Sequence, residues 1–129
     1  MSLKNVVILG VIILILDYAY LGYVLGEPFL KMVKKIQKKG PAEIVNVKRH
    51  YAAIVYCLMI GALYYFIIRE GRSPKSAFIL GIVIYGVFDF TNIAIFDNYS
   101  LLMALHDTLW GGTLFFLTTI IYRYLVDKK

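Results

Sequence analysis

Three aspartates stand inside stretches that otherwise read as lipid-buried helix: Asp17, Asp89 and Asp107. Each has a second polar group three residues further on, Tyr20, Asn92 and Trp110 respectively, and residues three apart share a helix face. His106 adjoins Asp107 but is turned about 100° from it, which allows it to reach the same place only from the rim. An ionised carboxylate near the middle of a membrane helix costs roughly 2.5 to 3.5 kcal/mol, so three of them need partners or a task. Burial and mutual repulsion both disfavour full ionisation, and the set is expected to hold at least one proton at pH 7. A protonatable cluster of this kind suits proton coupling or acid–base work. It also suits a structural network in which Tyr20, Asn92 and Trp110 bond to protonated aspartates. Three Asp oxygens with Asn92 would be hard-cation donors, yet no metal-binding spacing accompanies them, so no metal and no other cofactor is expected. No nucleophile motif is present, which leaves an aspartate base with His106 as acid or orienting group as the one enzymatic alternative.

The elements that must position these residues follow from the apolar runs. The chain has 129 residues, enough for a single domain over 1–129, and is 60% hydrophobic against roughly 45 to 50% in soluble domains. The fold class is accordingly all-α: a polytopic membrane protein with four transmembrane helices, spans at about 5–26, 51–68, 76–95 and 101–126. The first run is long, includes Asp17 and ends in aromatics, which separates it from a cleavable signal segment. Ser73 and Pro74 are suited to start the third span, and Asp97, Asn98 and Ser100 to turn the chain into the fourth. Four spans place both ends of the chain on one side, with an exposed tail over 127–129. Asp89 and Asp107 then lie roughly 10 to 12 Å from the Asp97 corner and Asp17 roughly 13 Å from the same surface. The three carboxylates are therefore expected in one layer. The second span shows nothing that suggests chemistry, and His50 at its start is a candidate for the mouth of the pocket.

Between the first two spans, Phe29, Met32, Val33 and Ile36 recur at helical spacing, with Lys31, Lys34, Lys35, Lys38 and Lys39 on the remaining surface. This predicts an amphipathic interfacial helix over about 28–39, stopped by Gly40 and Pro41, whose lysines bind anionic lipid headgroups. The formal charge of +6 is placed in such short runs between apolar spans, which argues for membrane lipids as partners and against nucleic acid. Gly22 with Gly26, and Gly86 with Gly111 and Gly112, mark places where a neighbouring helix or a ligand could come close. Cys57 is the single cysteine, so no disulfide within the chain is available. Lys and Arg divide evenly between the two sides of the proposed topology, so the positive-inside rule assigns no orientation.

The stretches LDYAYLG (Leu16 to Gly22), FDFTNIAIF (Phe88 to Phe96) and HDTLWGG (His106 to Gly112) resemble the recurring blocks of the domain-of-unknown-function 2177 family. Those blocks read Asp-x-x-aromatic-Leu-Gly, Tyr-Asp-Leu-Thr-Asn and Asp-x-x-Trp-Gly. Tyr20 stands here where the first block usually carries Trp. The resemblance spans essentially the whole chain and implies a four-helix integral, multi-pass protein of a cell membrane or viral membrane, with no activity attached. On the residues themselves, the expected function is a protonatable pocket open to one leaflet, serving a proton-coupled carrier or a binder of a small polar solute or lipid headgroup. Four short helices make a thin path, so a homo-oligomer is expected for transport. A structural component of a membrane, such as a virion envelope, is the noncatalytic alternative.

Overall fold

The computed structural model describes residues 2–126, the Leu25 side chain excepted, so the 127–129 tail lies outside the described residues. Helix α1 (Leu3–Tyr20) runs through a π-helical turn (Leu21–Leu25) directly into α2 (Gly26–Ile36). After a loop come α3 (Arg49–Leu63), extended by a second π-helical turn (Tyr64–Ile68), then α4 (Pro74–Ile95) and α5 (Leu101–Val126). Four of these segments are long and apolar enough to cross a membrane: Leu3–Val24, Arg49–Ile68, Pro74–Ile95 and Leu101–Val126. The protein is all-helical among the described residues and polytopic.

The start of α4 follows the sequence closely. Ser73 Oγ accepts from the Ser76 N–H at 3.2 Å, and Pro74 occupies the first turn, where its missing N–H costs nothing. The start of α2 departs from expectation, because there is no break between the first span and the amphipathic helix. Pro28 has no N–H to offer the Val24 carbonyl, and its ring would crowd that carbonyl in a regular α-helix. The π turn immediately before it widens the ladder, and it brings residue 26 against the Leu21 carbonyl. A Cβ there would collide with that oxygen, so Gly26 is what lets the helix continue. Gly22 has nothing within 4 Å of where its Cβ would be, so the Gly22 and Gly26 pair does not serve close helix approach within this chain.

The end of α2 also differs, falling at Ile36 rather than Lys39. Lys38 takes a left-handed backbone conformation (φ 57°), the Lys39 N–H reaches the Lys34 carbonyl at 2.8 Å, and the Lys38 N–H reaches Lys35 at 3.2 Å. That is the Schellman pattern, built on a lysine where glycine is usual. The helix is therefore closed before Gly40 and Pro41 are reached.

Helices α4 and α5 pack as a tight antiparallel hairpin. A Cβ on buried Gly81 would stand 2.7 Å from the Gly111 carbonyl carbon and 2.9 Å from Gly112 Cα, and one on Gly112 would stand 2.8 Å from both Phe78 and Ile82 side chains. These glycines admit a neighbouring helix, not a ligand. Gly86 is only in ordinary contact with Thr108, at 3.5 Å. Leu9 and Ile13 from α1, Met59, Leu63 and Ile67 from α3 and its extension, and Leu114 and Phe115 from α5 form the main core. Outward-facing residues such as Leu14, Ile15, Leu58, Val83 and Leu109 are exposed, as expected where lipid is the solvent. A second, smaller core joins Met32 of α2 to Tyr99 in the α4–α5 turn and Ala104 of α5.

Candidate functional site

Asp17, Asp89 and Asp107 are 5%, 0% and 8% exposed, and all three meet in one layer between α1, α4 and α5. Burying a carboxyl group in this setting demands donors, and the chain supplies them from every side. Asp17 accepts from Trp110 Nε1 at 2.9 Å and from the Tyr56 hydroxyl, so one carboxylate ties α1 to α3 and α5. Asp89 accepts from the Tyr99 hydroxyl at 2.7 Å and from Thr108 Oγ1 at 3.3 Å. Asp107 lies beside Asp89 and within the field of Asp17.

The aromatic side of the layer is a stack. The Tyr20 ring lies parallel to Trp110, with centroids 4.3 Å apart and planes at 3°, and it also faces His106 at 5.7 Å and 22°. Its hydroxyl pairs with His106 Nδ1 at 2.5 Å. The hydroxyl donates when the imidazole proton sits on Nε2 and accepts when it sits on Nδ1. His106 itself is exposed, at the rim that its offset from Asp107 requires. Tyr20 thus joins the exposed imidazole by its hydroxyl and Trp110, the donor to Asp17, by its ring.

Asn92 is half-buried and reaches the Tyr99 hydroxyl rather than a carboxylate directly. His50 is exposed and packs at 4.2 Å on its neighbour Tyr51, and no contact among the described residues joins it to the layer. Four participants were not anticipated from the sequence: Tyr56, Tyr85, Tyr99 and Thr108. The reading of the second span as chemically silent is corrected by Tyr56, which is a direct donor to Asp17. Its position roughly 10 Å into that span, level with the aspartates, was the available signal. Tyr85 lies on α4 within the electrostatic reach of all three carboxylates, its ring seated where Gly111 has no side chain. Tyr99 lies in the turn outside the spans, and burial followed by its bond to Asp89 raises its pKa above the ordinary tyrosine value. It therefore remains a hydrogen-bond donor throughout the physiological range.

The five lysines divide. Lys34 Nζ donates to the Pro41 carbonyl at 2.7 Å and Lys39 Nζ to the Ile44 carbonyl at 2.9 Å, so these two brace the loop that follows α2. Lys31, Lys35 and Lys38 are exposed.

A family model described as "Predicted membrane protein (DUF2177)" matches residues 2–123, nearly the whole chain. The chain belongs to this family. No curated protein and no solved structure matches it. Family and fold together make this DUF2177 member an integral, multi-pass membrane protein.

Proposed function

We propose that this protein binds and releases protons at the Asp89–Asp107 pair, and that this exchange is coupled to movement or binding of a small polar solute or lipid headgroup at one leaflet. The observation that carries the reading is the burial of both carboxyl groups side by side in one layer. Like charges so placed in a low dielectric repel, so full ionisation of the layer is disfavoured. Tyr99 connects Asp89 to the α4–α5 turn by a hydrogen bond, and Tyr20, stacked on Trp110, carries the exposed His106 at the edge of the layer.

Asp17 supports a second, structural reading of part of the layer. Its two oxygens are each taken by a donor from a different helix, which is the arrangement of a latch. The division of labour is therefore a titrating pair beside a fixed carboxylate.

The test is purified protein in sealed liposomes with a pH-sensitive dye inside and the membrane potential clamped. Wild type is expected to dissipate an imposed pH step faster than protein-free liposomes. Asp89→Asn and Asp107→Asn should fold yet fall to the protein-free rate, because an amide keeps the shape and hydrogen bonds but cannot ionise. Wild-type rates in both variants, or no difference between wild type and empty liposomes, would refute proton exchange at this pair.

A further inference from the structure

On the surface side of the layer, α2 and the α4–α5 turn enclose a cleft of about 650 Å³. Lys31, Lys34, Lys35 and Lys39 line one wall, and Asn98 and Ser100 line the other. Sequence separates these walls by some sixty positions, and the fold brings them together through the bond from the Ser100 N–H to Met32 Sδ at 3.2 Å. Among the described residues, no acidic side chain lines the cleft. In the loop that follows α2, the Glu43 carboxylate accepts from the Gly40 N–H at 2.7 Å. Lys34 and Lys39 are held by loop carbonyls, which fixes their ammonium groups, while Lys31 and Lys35 are exposed and uncommitted to any described carboxylate. The floor and mouth are apolar, with Met32 and Met103 inside and Leu102 76% exposed at the edge.

We infer that this cleft is a binding site for the phosphate of one anionic phospholipid, with the headgroup between Lys31, Lys35 and Ser100 and an acyl chain passing Leu102 along α5. Position selects a lipid over a soluble anion. The cleft begins just beyond the end of the first span at Val24, at the depth of lipid phosphates, and it opens onto apolar, lipid-exposed helix surface. A cleft that gathers four ammonium groups differs from a diffuse basic surface in one checkable respect: the loss of a lysine inside it matters more than the loss of one outside. Lys38, on the same segment, is exposed and does not line the cleft, and neither does Lys48. The argument for this site uses none of the carboxylates of the proton-exchange reading, so either can fail without the other.

The experiment is native mass spectrometry of the full chain released from nanodiscs of phosphatidylcholine containing a minor fraction of phosphatidylglycerol, at low salt. Wild type should retain phosphatidylglycerol well above its share of the bilayer. Lys31→Gln with Lys35→Gln should lower that retention by at least about ten-fold, the loss of a charge-assisted contact to the phosphate from each lysine at roughly 1 kcal/mol or more. Lys38→Gln with Lys48→Gln removes the same charge outside the cleft and should leave retention within about two-fold of wild type. Equal losses in the two double variants would reduce the effect to overall charge and overturn the site, as would no enrichment by wild type. Displacement of the retained lipid by inorganic phosphate at millimolar concentration would reassign the cleft to a soluble anion and overturn the lipid.

Discussion

Replacing Asp17 separates the latch from the titrating pair. Asp17→Leu removes the acceptor for both Trp110 Nε1–H and the Tyr56 hydroxyl, leaving two buried donors from α5 and α3 facing an apolar side chain. Hydrogen bonds between membrane helices average about 0.6 kcal/mol and reach about 1.7 kcal/mol at most. Two of them make the expected destabilisation about 1 to 3 kcal/mol. Asp17→Asn should cost less than about 1 kcal/mol, because the amide oxygen can accept from Trp110, which can only donate, while its NH₂ donates to the Tyr56 oxygen, which can do both. Trp110→Phe and Tyr56→Phe each remove one donor, and the triple replacement with Asp17→Leu removes every unsatisfied group at once. It should therefore recover stability relative to Asp17→Leu alone. Equilibrium unfolding in mixed detergent micelles reads these differences, and the dye-loaded liposome assay reads function in parallel. If Asp17→Leu unfolds at the wild-type midpoint, the latch is refuted. If Asp17→Asn is as stable as expected but loses all proton exchange, Asp17 belongs with the titrating pair and the division of labour fails.

Local geometry sets the outcome of four further substitutions. Gly81→Ala should destabilise the α4–α5 hairpin by about 1 to 3 kcal/mol, because the atoms its Cβ meets are backbone and cannot give way. Gly86→Ala should stay within about 0.5 kcal/mol in the same unfolding assay. Lys38→Gly should relieve a left-handed lysine at the end of α2 and stabilise that turn by about 1 kcal/mol, seen as slower amide hydrogen exchange at Lys38 and Lys39. Thr118→Val should be neutral or stabilising by up to about 1 kcal/mol, since buried Thr118 Oγ1 has no hydrogen-bond partner among the described residues.

The spans were legible because apolar length alone selects them, and the cap at Ser73 because its side chain acts locally. The meeting of the three aspartates was legible for a related reason: in antiparallel spans, depth is counted along the chain from a shared corner, and the face is set by helical phase. What depth and phase do not supply is the donor from a helix with no polar signature. Tyr56 sits in a span whose aromatics look like membrane anchors, and only packing of α3 against α1 makes one of them a ligand of Asp17. Tyr99 was hidden differently, in a turn whose Asp, Asn and Ser drew the reading toward local backbone bonds. The extent of α2 was misjudged at both ends by trusting proline and glycine as punctuation. A π turn absorbed Pro28, and a lysine, not Gly40, made the left-handed stop.

The same tyrosine connects the two surfaces of interest. Tyr99 is buried with Met32 of α2 in the smaller core, and its hydroxyl donates to Asp89. Met32 in turn holds the Ser100 N–H through its sulfur, so α2 and the α4–α5 turn are joined by packing and by a hydrogen bond on adjacent residues. Displacing α2 would uncover Tyr99 and loosen the donor that Asp89 relies on. Because the raised pKa of Tyr99 keeps its hydroxyl protonated, it stays a donor at every physiological pH. The lysine-lined cleft lies between the same two elements, so whatever fills it bears on the placement of Tyr99. In a chain this small, the membrane surface and the buried carboxylates are one side chain apart.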